Sequence, residues 1–208
     1  MTDAYDVSKR QKELAQREWN LPEIEARFSR LVNQGIPEKT LNRETLAVEK
    51  EALLDRVQLR AEEYCYLMRN CAKSTATALM EEFGFGSLDI IKAMGPVPGI
   101  SMSGGPCGPV TGGLITLGFY FADPDLLNHN ATPAYLYGGE FVRRFESVFG
   151  SVNCPDIQQR LLGRYYDPMS SAENLKAFYG SAARENCPVA PGMGARIAAE
   201  LILKSLKV

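Results

Sequence analysis

A loop rich in glycine and proline runs directly into an apolar helix near the middle of the chain, and the stretch reads Gly104-Gly105-Pro106-Cys107-Gly108-Pro109-Val110-Thr111-Gly112-Gly113-Leu114. Pro109 has a fixed φ and no N–H to lose, which suits the start of a helix. Cys107 therefore lies about one residue before a helix N-terminus, where free N–H groups and the helix dipole favour a thiolate. We expect Cys107 to be the most thiolate-like cysteine of the chain.

The helix after this loop has one apolar face, formed by Val110, Leu114, Leu117 and Phe121. Gly112, Gly113 and Gly118 carry no side chains, so we expect another segment to approach this helix closely. The irregular stretch before it, residues 95–105, is the kind of long loop that is usually functional when it is ordered. We therefore predict a Gly/Pro-rich loop that covers a cysteine site.

Composition limits the function classes. The chain has 208 residues, of which 23% are charged and 45% hydrophobic, and its formal net charge is −2, which is typical of a globular domain. A slightly acidic chain argues against nucleic acid as the main partner. No run approaches 18 apolar residues, so we expect no membrane insertion. The first residues lack the pattern of a signal peptide, and we expect a cytoplasmic protein.

Helical spacing of about 3.6 residues recurs in every periodic segment, which predicts an all-α bundle of about seven or eight helices. One long helix is predicted from about residue 43 to about residue 83, capped by Asn42 or Thr40, with Cys71 in its buried seam. On such a helix Cys65 lies roughly 120° from Cys71, so we expect the two cysteines not to serve one site. We interpret Cys65 as structural. Residues 1–45 are predicted to form a charged helical extension with a solvated face, and residues 46–208 a four-cysteine redox domain.

The chain has five cysteines, and three of them share one local design. Cys107, Cys154 and Cys187 each precede a proline by one or two residues, close to a predicted helix start. Together with Cys71 they could converge as ligands of an iron–sulfur or other metal centre, or as reversible dithiols. The alternative is four separate buried cysteines.

There is no C-x-x-C motif, which excludes thioredoxin-type, zinc-ribbon and c-type haem sites. His129 is the only histidine, which disfavours a serine hydrolase.

The order of these motifs resembles the C_GCAxxG_C_C family over roughly residues 60 to 206. The residues that carry the resemblance are Asn70-Cys71-Ala72, Cys107-Gly108-Pro109-Val110-Thr111-Gly112-Gly113-Leu114, Cys154 and Cys187. The resemblance implies a redox-active protein in which these four cysteines are redox thiols or metal ligands. Pro106 stands where the family has glycine. Gly108 replaces the commoner alanine, and we take this second difference as a mild departure. We expect Gly105, Pro106, Gly108 and Gly112 to contact any bound cofactor.

Three functions are compatible with the sequence. The first is a cytoplasmic redox protein, expected to be a homo-oligomer, that exchanges electrons with a redox partner protein. The second is a scaffold whose charged N-terminal helices oligomerise or dock to a redox enzyme, while the cysteines are core residues. The third is an enzyme with a pocket under the glycine loop and Tyr64, Tyr120 or Tyr135 as polar groups. Sulfur atoms within about 4–7 Å of a common point would favour the first, because metal–thiolate bonds are ~2.3 Å long.

Overall fold

The computed structural model describes residues 3–125, 127 and 132–208, and this part of the chain is all-α, as predicted. Its one β pairing is an isolated antiparallel bridge between Pro106 and Asn153. After a 3₁₀ turn at Asp3–Tyr5, the helices in chain order are α1 Val7–Ala15, α2 Leu21–Gln34, α3 Arg43–Met68, α4 Cys71–Phe83, α5 Leu88–Ala93, α6 Gly99–Met102, α7 Gly108–Phe121, α8 Thr132–Phe149, α9 Cys154–Leu162, α10 Ala172–Tyr179, α11 Ala183–Asn186 and α12 Val189–Ser205.

The single long helix predicted over residues 43–83 is two helices. Arg69 adopts a left-handed conformation (φ 52°, ψ 36°) and ends α3. Asn70 then caps α4, and its side-chain oxygen accepts a hydrogen bond from the Lys73 N–H at 3.0 Å. Cys71 is therefore the first residue of α4 rather than a position inside a long seam. This break, together with short helices after residue 170, raises the number of helices above the seven or eight predicted.

Helix α12 lies at the centre of the packing, in contact with α3, α4, α7 and α8. Every residue from Val189 to Ala199 is buried, and small residues such as Gly192 and Gly194 let neighbouring helices come close. A Cβ at Gly192 would lie 2.5 Å from the Glu62 side chain, and one at Gly194 would lie 2.9 Å from Pro109. Helix α12 therefore fixes the position of α3 relative to α7.

Helices α4 and α7 touch through their backbones. A Cβ at Gly108 would lie 2.7 Å from the Cβ of Cys71, and one at Gly112 would lie 2.5 Å from the carbonyl oxygen of Ala72. Glycine in place of the family's commoner alanine at position 108 is thus not a mild departure from the family pattern. An alanine there would require α4 and α7 to separate. Gly118, in contrast, has no atom within 4 Å of its Cβ position, so the predicted close approach fails at that residue.

The N-terminal helices pack on the rest of the chain through buried charges as well as apolar contacts. Arg10 donates two hydrogen bonds, at 2.9 and 2.5 Å, to the carboxylate of Glu62, whose side chain is fully buried. Arg27 pairs with Glu63, and the exposed Arg17 lies 3.5 Å from the same carboxylate. The prediction of a solvated charged face is therefore wrong for Arg10. Four apolar residues of α1 and α2 also join the main hydrophobic cluster: Val7, Leu14, Ile24 and Leu31.

Substitution of Gly112 by alanine should destabilise the fold by about 1–3 kcal/mol, because the added methyl group meets backbone rather than a movable side chain. Gly118→Ala, in the same helix but facing open space, should raise stability by up to about 1 kcal/mol through helix propensity. Urea denaturation of both variants measures the difference. If G112A were as stable as G118A, the close contact between α4 and α7 would be refuted.

Candidate functional site

All five cysteines line one cavity of about 80 Å³. The cavity lies where α3, α4, α7, α9 and α11 approach one another, and most of its other wall residues are apolar. Pro98 and Met102 of the glycine–proline loop line it, as do Phe178 and Tyr179 of α10. Among the described residues, the charged members of its wall are Arg69 and Arg184. The cavity thus combines several thiols with an apolar wall and two guanidinium groups.

Four of the cysteines stand at the start of a helix of nine or more residues. Cys71 and Cys154 are the first residues of α4 and α9, and Cys107 is the N-cap of α7. Cys187 directly precedes Pro188, the N-cap of α12. The positive ends of four helix dipoles therefore meet around the thiols, an environment that favours negative charge.

Cys65 lies in the last turn of α3 and lines the same cavity. Its thiol shares a hydrogen bond with that of Cys71. The expectation that the two cysteines cannot serve one site is wrong, because it extrapolated a continuous helix across Arg69, where the left-handed residue changes the chain direction.

The bridge between Pro106 and Asn153 sets Cys107 beside Cys154. The Cys107 N–H donates to the Val152 carbonyl at 2.8 Å, and the Cys154 N–H donates to the Gly105 carbonyl at 2.9 Å. These two bonds align short extended segments from distant parts of the chain. The thiols of Cys107 and Cys154 are neighbours as a result, close enough for each to shift the pKa of the other.

Cys154, not Cys107, is the more acidic thiol of this pair. The hydrogen bond from Cys107 lowers the pKa of Cys154 to about 7 against the opposing effect of burial, and a 3.4 Å hydrogen bond from the Gln158 amide contributes in the same direction. The pKa of Cys107 is raised well above its usual value by its hydrogen bond to Cys154, by burial and by nearby thiolates. The expectation for Cys107 is therefore wrong. Cys107 is buried and serves as donor, whereas Cys154 is half-buried and serves as acceptor.

Two other thiols resist ionisation. The pKa of Cys65 is raised by its hydrogen bond to Cys71 and by burial. The pKa of Cys187 is raised by burial and then by negative charge at Cys71 and Cys154, so Cys187 is close enough to both pairs to interact with each. The cluster is therefore two hydrogen-bonded pairs, Cys65–Cys71 and Cys107–Cys154, with Cys187 near both.

Thiolate sulfur is a suitable donor for iron–sulfur clusters and zinc. Within the described residues, however, no three His, Cys, Asp or Glu side chains are arranged to hold a metal ion. Of the glycine-loop residues expected to contact a cofactor, only Gly108 lines the cavity. Gly105 faces the Ile100 side chain, Gly112 faces Ala72, and Pro106 lies in the bridge.

The loop against Cys154 has an unusual backbone. Gly99, Ile100, Ser101 and Met102 all have positive φ values, from 49° to 61°. This conformation costs roughly 1–2 kcal/mol for each residue that carries a Cβ. Two 3.0 Å hydrogen bonds hold the turn, from the Gly99 N–H to the Pro106 carbonyl and from the Gly105 N–H to the Gly99 carbonyl. The turn brings Gly99 next to Cys154, since a Cβ on Gly99 would lie 3.6 Å from the Cys154 Sγ.

The tyrosines considered as polar groups lie elsewhere. Tyr64 is buried and donates a 2.6 Å hydrogen bond to Glu81, Tyr120 packs against Phe85, and Tyr135 is exposed. His129 lies outside the described residues.

Sequence reasoning missed the two arginines of the cavity wall. Their proximity in sequence to Cys71 and Cys187 was the only available signal.

A comparison with protein families identifies the chain. The family model described as "Putative redox-active protein (C_GCAxxG_C_C)" matches residues 69–201. The chain belongs to this family. The match contains four of the cavity cysteines and leaves Cys65 outside it. No curated protein and no solved structure matches the chain. Across the part of the chain described, no helix has the length and apolar character needed to span a membrane.

Iodoacetamide should alkylate Cys154 first, because its lowered pKa leaves about half of its thiol ionised near pH 7. The alkylation rate should rise with pH through about 7 and level off above it. Gln158→Leu removes a hydrogen bond to the thiolate and should move this midpoint upward. Gln159→Leu, whose amide bonds Gly163 instead, is the matched control. Mass spectrometry that found Cys107 modified first would contradict the assignment.

Proposed function

We propose that this protein is a thiol–disulfide redox protein in which Cys154 is the nucleophile and Cys107 the resolving thiol. One observation supports it above all: the backbone bridge sets Cys107 beside Cys154, where each thiol shifts the pKa of the other, and the pKa of the half-buried Cys154 is lowered to about 7. A reactive thiolate needs a pKa near ambient pH, and a resolving thiol needs to be within reach of the first sulfur. Membership of a redox-active family is consistent with this role.

The proposed reaction begins with attack of the Cys154 thiolate on a disulfide of a redox partner protein. An S–S bond forms between Cys154 and one partner sulfur, and the other partner sulfur leaves as a thiolate. Cys107 then loses its proton and attacks Cys154, which forms the Cys107–Cys154 disulfide and releases the second partner thiol. Two thiols of this chain are oxidised, and one partner disulfide is reduced. A reducing compartment such as the cytoplasm would return the pair to its dithiol form.

Cys71, Cys65 and Cys187 extend this proposal. Cys187 interacts electrostatically with Cys154 and with Cys71. Cys187 could therefore receive the disulfide from the first pair and pass it to the second by intramolecular exchange. Each exchange forms one S–S bond and breaks one, so the protein keeps a single disulfide throughout.

Two alternatives receive less support. A thiolate-bound iron–sulfur centre would use the same four helix-start cysteines, but no three His, Cys, Asp or Glu side chains of the described residues are arranged to hold a metal ion. A scaffold would dock through its charged N-terminal helices, and Arg10 of these is engaged by the buried carboxylate of Glu62.

The test is oxidation of the reduced protein by hydroxyethyl disulfide at pH 7, with the products assigned by mass spectrometry. The wild type should form the Cys107–Cys154 disulfide. Cys107→Ser should instead accumulate a mixed disulfide at Cys154, because the resolving thiol is absent. Cys154→Ser should react at least about tenfold more slowly, since the pKa of the other thiol of the pair, Cys107, is raised well above its usual value.

Cys65→Ser is the control, because it leaves the first pair intact and should not slow the first step. Metal and acid-labile sulfide are measured on anaerobically purified protein from the same preparation. Iron and sulfide in stoichiometric amounts, or a wild type in which no disulfide forms, would overturn the dithiol proposal.

A further inference from the structure

The cysteine cavity contains cations that no anion of the chain neutralises. Among the described residues, neither Arg69 nor Arg184 forms an ion pair, although both line the cavity. The arginines that pack against the core elsewhere are paired with carboxylates, as Arg10, Arg27 and Arg144 show. The guanidinium of an unpaired arginine at an apolar wall can bind an anion through its N–H groups and its positive charge.

Arg184 provides the more specific observation. Its Nε atom is buried and has no hydrogen-bond partner in the described part of the protein. Buried donors are nearly always satisfied, because an unmade hydrogen bond costs free energy. The guanidinium of Arg184 thus has donor capacity that no described residue uses. The guanidinium lies 4.3 Å from the ring centroid of Tyr66. That ring stacks in turn on Trp19 at 4.5 Å, so the arginine rests on a fixed aromatic platform.

We propose that the cavity binds a low-molecular-weight disulfide that carries carboxylates, with Arg184 as the carboxylate receptor and Arg69 as a second cation at the wall. The inference rests on the proposed function and names its substrate class. The apolar wall suits methylene and S–S groups, and the planar guanidinium suits a carboxylate. A volume of about 80 Å³ admits the reacting end of such a molecule.

The chemistry is ordinary thiol–disulfide exchange. The Cys154 sulfur bonds to one sulfur of the bound disulfide, and the other sulfur departs as a thiolate. The Cys107 thiol then loses its proton, bonds to Cys154 and releases the second small thiol. One external disulfide yields two small thiols, and the protein gains one disulfide. Arg184 stays bound to the carboxylate and takes no part in the bond changes.

The experiment compares three disulfides of similar size at equal ionic strength: dithiodiglycolate, which is anionic, hydroxyethyl disulfide, which is neutral, and cystamine, which is cationic. The readout is the rate at which the Cys107–Cys154 disulfide forms. The wild type should react about tenfold faster with dithiodiglycolate than with cystamine, because a charge-assisted hydrogen bond forms with the anion only. Added salt should slow the anionic reagent and leave the neutral one unchanged.

Arg184→Gln should reduce the anionic preference, measured as the ratio of the rate with dithiodiglycolate to the rate with hydroxyethyl disulfide, to about twofold or less. Arg184→Lys keeps the positive charge but loses the planar guanidinium. Its anionic preference should lie between those of the wild type and Arg184→Gln. Arg164→Gln is the matched control, because Arg164 also lies over a tyrosine ring, 4.4 Å from Tyr166, but does not line the cavity. The salt dependence of the wild type supplies a test that needs no variant.

The outcomes separate the two proposals. If none of the three reagents produces the Cys107–Cys154 disulfide, the proposed function fails. If all three produce it at equal rates, or if R184Q keeps the full anionic preference, the thiol pair stands and the carboxylate receptor is overturned.

Discussion

The short backbone bridge between residues 105–107 and 152–154 is the constraint on which the site depends. Two N–H···O=C bonds join segments that are more than forty residues apart in sequence, and they place Cys107 and Cys154 side by side at two helix starts. The same segment holds the neighbouring loop, because the Pro106 carbonyl accepts the Gly99 N–H. A pair of backbone hydrogen bonds thus sets the distance between two thiols, the loop beside them and the orientation of two helices.

Close helix packing supplies the rest of the site. The backbones of α4 and α7 meet at Gly108 and Gly112, where no side chain separates them. This contact brings Cys71, at the start of α4, to the cavity wall near Cys107. The central helix α12 is buried along most of its length, so Cys187, just before it, has little freedom to move. Packing of small residues therefore controls where the thiols lie.

The sequence predicted the all-α class and the helix starts at Cys107 and Cys154, because proline and asparagine near a helix entrance leave a local signal. It did not predict the break after Met68. The residue that ends α3 is an arginine in a left-handed conformation, and neither glycine nor proline marks the position. The acidity of Cys154 could not be predicted either. The pKa of Cys154 depends on its neighbour Cys107, on its own exposure and on the Gln158 amide. All three are features of the tertiary structure. Arg184 was missed for the same reason, since its significance lies in the absence of a partner.

The meeting of four helix N-termini has a consequence for how charge is distributed among the thiols. Each helix end favours an anion, but the sulfurs are close enough that a thiolate at Cys154 or Cys71 opposes ionisation of Cys187 and Cys107. The site therefore behaves as one coupled acid that releases its protons in succession over a wide range of pH, rather than as five independent groups. A thiolate at Cys154 therefore disfavours a second thiolate beside it. Once Cys154 is held in a disulfide, that negative charge is gone and the neighbouring thiols ionise more readily.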